Sequence, residues 1–409
     1  MTLFNEITII YGIAILLIAV LSPLFNPFFR FRRDLHLLHL SNQHEDEDTE
    51  NSDVQQIQTK YETAFSKTNN SQVKGITVLV TAHDQAQDLE KHLPKLLEQE
   101  FDGEFQVVVV AEQGDHDTED VLTRLSNNPH LYATFIPTSS RYMSRKKLSI
   151  TLGVKAAKYE WIVLLNADSE PASKLWLQHI AKQCNNNAHL VLGYSLYEAD
   201  TPKHYQVERL YDELYLLHQA AHGTAYRTNS CNLIFRKKAF IKAEGFRGNL
   251  QLLRGEYDFI VNKYAEKGTN PICIAPEAWV IEDVPTKSQW HNKHLFAIAS
   301  RPLLKHSLCI KLLHFMDTFM LHLSYIGIIA TMIYAILTYN WLLTAIAGVA
   351  LVLTIILRVL SFKAALKFFL PNISVWRVLF YEPTKIWRIV MYKIRYQRAN
   401  QNDFTSHKL

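Results

Sequence analysis

Four short stretches of this chain hold carboxylates, an amide or lysines in patterns that could do chemistry. The most pointed is Trp161–Pro171, WIVLLNADSEP, where an apolar run breaks abruptly into Asn166-Ala167-Asp168. That pattern describes a buried strand delivering one amide and one carboxylate at its carboxyl end, where open α/β sheets hold their ligands. A capping aspartate or a plain turn would use the same residue types. Two further β-rich runs end in Thr81-Ala82-His83-Asp84 and in Glu112-Gln113-Gly114-Asp115, and Ser144-Arg145-Lys146-Lys147 opens a helical stretch. Crowded carboxylates attract a cation, while backbone amides and basic side chains at a helix start suit a phosphate. Together these groups suit a nucleoside diphosphate accompanied by a divalent metal.

Strands alternating with helices must position these groups. Ile76–Thr81 is a β-rich run, and Asp88–Gln99 follows as an amphipathic helix with Leu89, Leu93, Leu96 and Leu97 on one face. Then come a strand at Phe105–Ala111, a helix at Thr118–Ser126, a strand at Leu131–Ile136, a helix at Lys146–Ala157 and a strand at Trp161–Leu165. Such alternation implies a mostly parallel sheet with right-handed crossovers. The carboxyl ends of its strands then share one edge, and the carboxylates converge on one crevice.

The 409 residues are 48% hydrophobic and 20% charged, enough to bury a full core and more than one typical domain needs. A net charge of +4 is too weak a bias to argue for nucleic acid, and the basic residues cluster beside apolar spans, which points to a membrane surface. Cys184, Cys231, Cys273 and Cys309 form no closely spaced pair of the zinc or redox kind, so a reducing, cytosolic face is the simplest setting.

Ile7–Phe29 is long and apolar enough to cross a bilayer, and Arg30, Arg32 and Arg33 follow at once, which sets the amino terminus outside and the downstream chain in the cytoplasm. Ser41–Lys74, with the acidic run HEDEDTE, reads as a polar linker. Met316–Leu337 and Trp341–Leu360 form a second pair of spans turning near Tyr339-Asn340, with Arg358, Lys363 and Lys367 at the exit. Asp317 is expected at the interface, because a buried carboxylate is costly. From Ile373 to Arg398, aromatic and basic residues interleave as in a helix lying on an anionic leaflet.

ITVLVTAHDQAQDLEKHLPKLLEQ, VVVVAEQGDHDTEDVL and SRKKLSITLGVKAAKYEWIVLLNADSEP together resemble the amino-terminal half of a family 2 glycosyltransferase with the GT-A fold. CNLIFRKKAF resembles the segment after the acceptor region, and LLRGEYDFIVNKYAEKG resembles the helix carrying the catalytic acid, so the likeness extends over about Gly75–Arg301. It is similar to the membrane-bound members with one helix before the domain and two after it. The division implied is an anchor at 1–33, a polar linker at 34–74, a GT-A domain at 75–301, a transmembrane hairpin at 302–370 and a basic amphipathic tail at 371–409.

The resemblance implies that Ala82 and Asp84 rim the nucleotide pocket and that Glu112 recognises the base. Asn166-Ala167-Asp168 stands where the family has Asp-x-Asp, so Asp168 is expected to bind the metal and Asn166 to meet a ribose hydroxyl. Lys146 or Lys147 would face the phosphates, and Gly153 lies where helix packs closely on sheet. In Gly255-Glu256-Tyr257-Asp258 the family's usual base position holds Tyr257, which leaves Asp258 as the expected base and Glu256 as the second candidate. The Gln-x-x-Arg-Trp motif of many polymerising members is missing from SQWHNKHLFAIASR, where Trp290 and Lys293 are candidates for acceptor or diphosphate contact, and a membrane-interface anchor is the other role open to Trp290. Tyrosines in YDELYLLH recur at helical spacing and are expected in a core.

These implications add up to an inverting, metal-dependent transferase. It would use a nucleotide sugar at the cytoplasmic face of the inner (plasma) membrane, with a lipid-linked or membrane-proximal glycan as acceptor. The alternative is a catalytically impaired relative that binds a nucleotide sugar or scaffolds a glycan-assembly complex. A processive synthase fits less well, since three spans are few for a channel.

Overall fold

The computed structural model describes residues 6–31, 73–137, 144–185, 187–268, 270–305 and 308–404. The expected linker with its acidic run, apart from Val73 and Lys74, and the basic residues Arg32 and Arg33 lie outside the described residues. Contacts gather the chain into two compact units. One comprises Gln55–Pro202, Gln219–His306 and Tyr392–Leu409; the other comprises Met1–Val54, Lys203–His218 and Ser307–Met391.

In the first of these units, ten strands among the described residues form two sheets: β1 Gly75–Thr81, β2 Glu104–Glu112, β3 Leu131–Ile136, β4 Trp161–Asn166, β5 Ser169–Pro171, β6 Leu190–Gly193, β7 Ser195–Tyr197, β8 Leu233–Arg236, β9 Ile272–Cys273 and β10 Val280–Glu282. The large sheet has the order β3-β2-β1-β4-β8-β6-β9. Its first four strands run parallel, β8 is antiparallel to both β4 and β6, and β6 pairs parallel with β9. Every residue of β1 is buried, as a central strand covered on both faces requires. In the small sheet, β10 lies between β5 and β7.

The helices between the parallel strands start where local capping dictates. Asp115 accepts from the Thr118 N–H, so that helix spans His116–Leu125, two residues earlier than the apolar pattern alone indicates. Ser144 accepts from the Lys147 N–H and opens the helix Arg145–Ala156. Gly153 of that helix lies directly over Leu79, and a Cβ there would overlap the leucine side chain. Close approach at this point accompanies the placing of Lys146, at the helix start, against Asn166 at the carboxyl end of β4.

The second unit contains the three helices that are long and apolar enough to cross a membrane among the described residues: Thr8–Phe25, Leu308–Leu337 and Trp341–Phe369. Asn340 caps the last of these through the Leu343 N–H, and Tyr339 before it is left-handed at φ 53°, so the hairpin turns where the sequence indicated. Ile15, Ala19, Ile328 and Ala350 pack together between the helices. Asp317 departs from expectation. It is 2% exposed, and its Oδ2 accepts from the hydroxyls of Tyr211 and Tyr215 at 2.8 and 2.5 Å. Those tyrosines, from the helix Lys203–His222, replace the water that an interfacial carboxylate would use. Beside them Arg358 and Glu382, both fully buried, pair at 2.8 Å. Arg358 also donates to Ser22 at 2.7 Å, and the Asn26 amide donates to Glu382.

The helix Val375–Arg398 turns Val378, Tyr381, Glu382 and Lys385 inward. Trp376, Phe380, Trp387, Met391 and Ile394 form an exposed stripe at helical spacing.

Candidate active site

The register of the sheet explains why distant residues meet. Thr81 is level with Val110 of β2 on one side and with Asn166 of β4 on the other, so β1, β2 and β4 open onto a common edge. From β1 come Ala82, His83 and Asp84; from β2 comes Glu112; from β4 come Asn166 and Asp168. The Asp84 N–H donates to Asp115 at 3.2 Å and joins the first two loops. Glu112 is flanked by the His83 ring at 2.9 Å and by Arg145, whose guanidinium donates to its second oxygen.

The two neighbouring lysines do different work. Lys147, expected as one possibility at the phosphates, is fully buried, and its ammonium donates to the Asn249 carbonyl at 2.5 Å, to Asn249 Oδ1 at 2.7 Å and to the Leu252 carbonyl. Burial pulls it down to about 8, with Glu256 acting the other way. The lysine thereby anchors the loop that leads into the helix Glu256–Tyr264. Lys146 is the one that reaches the carboxyl edge, donating to Asn166 Oδ1 at 2.7 Å. Its ammonium is also held below its ordinary value by burial, against the attraction of Glu256.

Tyr257 completes that cluster. Its hydroxyl donates to the same Asn166 Oδ1 at 3.0 Å, and its ring lies 5.4 Å from the Lys146 ammonium. Burial raises the phenol well above its ordinary value, so it remains a donor. Gly255 before it has φ +94°, a conformation that a side chain would strain, and starts the helix so that Glu256 and Asp258 both turn into the unit.

Asp168 and Glu256 act electrostatically on this cluster, and Asp258 follows two residues after Glu256 on the same helix. Asp168 carries a buried Oδ1 with no hydrogen-bond partner, and burial, helped by Glu282, raises it to about 6. Its backbone carbonyl accepts from the Asp283 N–H at 3.0 Å, which fixes the turn between β4 and β5. Glu256 is 3% exposed and also has one oxygen, Oε1, buried without a partner. Asp258 is buried, which raises it above the ordinary carboxylate value, while Arg227 and Arg301 pull it back. Among the described residues no group of three or more His, Cys, Asp or Glu side chains could hold a metal by itself.

Trp290 and Lys293 lie on the helix Lys287–Ser300, which Thr286 and Gln289 start with a capping box. Trp290 is 3% exposed, enclosed by Tyr197, His294 and Tyr392, and its indole N–H donates to the Tyr392 hydroxyl at 3.2 Å. It is packed in a core, not presented to a ligand or a lipid surface. Lys293 donates to the Tyr197 hydroxyl at 3.0 Å and adds positive potential at Asp258. Sequence reasoning did not place Arg227, Asn249 or Tyr257 in the site. Tyr257 was visible only as a departure from a motif, and the other two carried no local signal.

A parallel α/β half whose strand ends converge on an Asx-x-Asp turn, continued by an antiparallel strand into a second half bearing an acidic helix, defines the GT-A class of fold. Residues 77–242 match glycosyl transferase family 2. Among solved structures it is similar to the mannosyltransferase PcManGT from Pyrobaculum calidifontis in complex with GDP-Man and Mn2+, at 16% identity over 85% of this chain and 97% of that one, with a TM-score of 0.49. It is also similar to S. aureus TarS 1-349 in complex with UDP-GlcNAc, at 15% identity over 61% of this chain and 73% of that one, with a TM-score of 0.40. No curated protein matches the sequence significantly.

Proposed function

We propose that this chain transfers a sugar from a nucleoside-diphosphate sugar to a lipid-linked or membrane-proximal glycan acceptor at the cytoplasmic face of a membrane, with inversion at the anomeric carbon. The observation that carries this reading is the meeting of Lys146, Asn166 and Tyr257 at the carboxyl edge, with Asp168 and the acidic start of the helix Glu256–Tyr264 beside them.

In this mechanism Glu112 and the Ala82–Asp84 loop receive the nucleoside, and Lys146 neutralises the diphosphate. Asp258 accepts the proton of the acceptor hydroxyl. The new bond from that oxygen to the anomeric carbon forms as the bond to the diphosphate oxygen breaks, and the electron pair leaves with the nucleoside diphosphate. The bare, buried Oδ1 of Asp168 fits a divalent cation, which Asp168 would hold. Such a cation, held by Asp168, supplies further charge neutralisation for the leaving group.

The exposed stripe Trp376, Phe380, Trp387, Met391 and Ile394, bordered by Arg377, Lys393, Arg395 and Arg398, supports residence of the tail helix on an anionic leaflet. The acceptor assignment follows from that membrane setting.

The direct test is turnover of UDP- and GDP-sugars by purified full-length protein with Mn2+ or Mg2+, comparing the parent with Asp168→Ala and Asp258→Asn. Release of nucleoside diphosphate by the parent alone supports the reading. The second reading, a nucleotide-sugar-binding relative that does not turn over, is favoured by Tyr257 at the usual base position. Saturable binding without turnover under any donor would establish it.

A further inference from the structure

The two departures from the family pattern, Asn166 and Tyr257, lie 91 residues apart in sequence and are hydrogen-bonded to each other. A lysine ammonium has only N–H donors, so the side-chain atom of residue 166 that Lys146 contacts at 2.7 Å must be the amide oxygen. The Tyr257 hydroxyl, 3.0 Å from that same oxygen, must then be donating as well. Both acceptor sites of Oδ1 are in use, and the amide cannot turn over without setting its NH2 against an ammonium. The Asn166 Nδ2 therefore points away from Lys146 and Tyr257. An aspartate at this position would have offered a second acceptor oxygen there; this chain offers a donor.

We propose that Tyr257 is a positioning residue which, with Lys146, locks the Asn166 amide so that Nδ2 donates to an oxygen of the nucleoside diphosphate. The inference rests on the nucleotide-sugar reading above and deepens it. At this position the chain recognises an oxygen lone pair, on the ribose or on the diphosphate, where a carboxylate would recognise a hydroxyl proton. The neutral amide also leaves Lys146 with its charge uncancelled by residue 166 and its remaining N–H groups available to the diphosphate. Tyr257 thus has a task other than that of the base whose place it takes.

The test is isothermal titration of full-length protein in nanodiscs with UDP and GDP in the presence of Mn2+, alongside thermal unfolding of each variant. Tyr257→Phe keeps the ring and is expected to weaken nucleotide binding about threefold to tenfold, the worth of one neutral hydrogen bond, with an unchanged Tm. In an Asn166→Ala background the same substitution should have no further effect, because the amide it orients is gone. Asn166→Asp, which preserves shape, should weaken binding about tenfold or more, since it removes the donor and sets a negative charge beside the diphosphate. Titration with 2′- and 3′-deoxy-UDP locates the oxygen: if it is on the ribose, loss of that hydroxyl and loss of Asn166 give the same deficit, and if on the diphosphate, the two losses add. Additive effects of Tyr257→Phe and Asn166→Ala, or binding by Asn166→Asp equal to the parent, overturn the inference while leaving the donor reading standing. Failure of the parent to bind either nucleotide overturns the donor reading, and the inference with it.

Discussion

Each of the two units buries charge, and the two do so differently. In the unit with the apolar helices, charged groups are matched to one another. Arg358 meets Glu382 and Ser22, Glu382 is also met by Asn26 and Tyr211, Asp317 takes two phenols, and the Lys385 ammonium sits 3.8 Å from the Tyr211 ring centroid. Single atoms are left over, Arg30 Nε, Asp317 Oδ1, Ser324 Oγ and Arg358 Nε among them. In the unit with the two sheets the carboxylates Asp168 and Glu256 each keep an oxygen buried and bare. Lys146 spends one bond on a neutral amide. Groups that complete each other hold a structure together; groups left incomplete are available to a ligand.

Removing half of the Arg358–Glu382 pair sharpens this contrast most. Glu382→Ala leaves an uncompensated buried guanidinium and should cost about 3–5 kcal/mol, read as a lowered Tm of protein in nanodiscs. The double change Arg358→Met with Glu382→Leu should restore most of that stability. If the single variant unfolds like the parent, the pair is not what fastens the tail helix.

The corresponding change at the site should leave stability untouched and remove function. Asp258→Asn is expected to lower kcat about a hundredfold or more, with an unchanged or slightly higher Tm. The higher Tm follows from the raised value of Asp258. A carboxyl raised by folding contributes stability below its unfolded value and loses that contribution as pH rises through the folded one, so the ionised group is a burden at neutral pH. As a base it must be ionised, and kcat/KM of the parent should fall as pH drops through a value above the ordinary aspartate range near 4. Full turnover by Asp258→Asn would move the base to Glu256.

How much of this contrast was visible in the sequence depends on distance along the chain. The strands from Ile76 to Leu165 and their shared edge followed from local periodicity, since each strand and helix announces itself within a dozen residues. Asp168 at that edge followed too. Asp317 did not, because the two phenols that make its burial tolerable belong to a helix roughly a hundred residues earlier. The tyrosines of YDELYLLH were rightly placed in a core, but their polar ends gave no sign of a carboxylate partner. Asn166 and Tyr257 each stood out as an exception, and only the fold shows that they are one exception.

Lys147 tests the boundary between the two kinds of buried charge, because it lies in the unit with the two sheets but behaves like the matched groups of the other. Lys147→Met removes the donor from three carbonyl-type oxygens and should cost about 1–3 kcal/mol, with turnover reduced through the loop that leads to Gly255. Nucleotide binding should change less than turnover, since Lys146 is the lysine proposed to face the phosphates. Equal losses in binding and turnover would return Lys147 to the phosphates.

The smallest effect is expected where a charge pair of the apolar unit reaches its rim. Arg388 donates to Glu208 at 3.2 Å, but its side chain is 29% exposed, so water competes for the guanidinium. Arg388→Ala should cost no more than about 1 kcal/mol, most of it removed by raised salt. Glu382→Ala by contrast should be insensitive to salt, because screening ions do not enter where Arg358 and Glu382 meet. A salt-insensitive loss at Arg388 comparable to that at Glu382 would mean that the matched network extends outward as far as Glu208, and that the tail helix is fastened along its length and not at one buried pair.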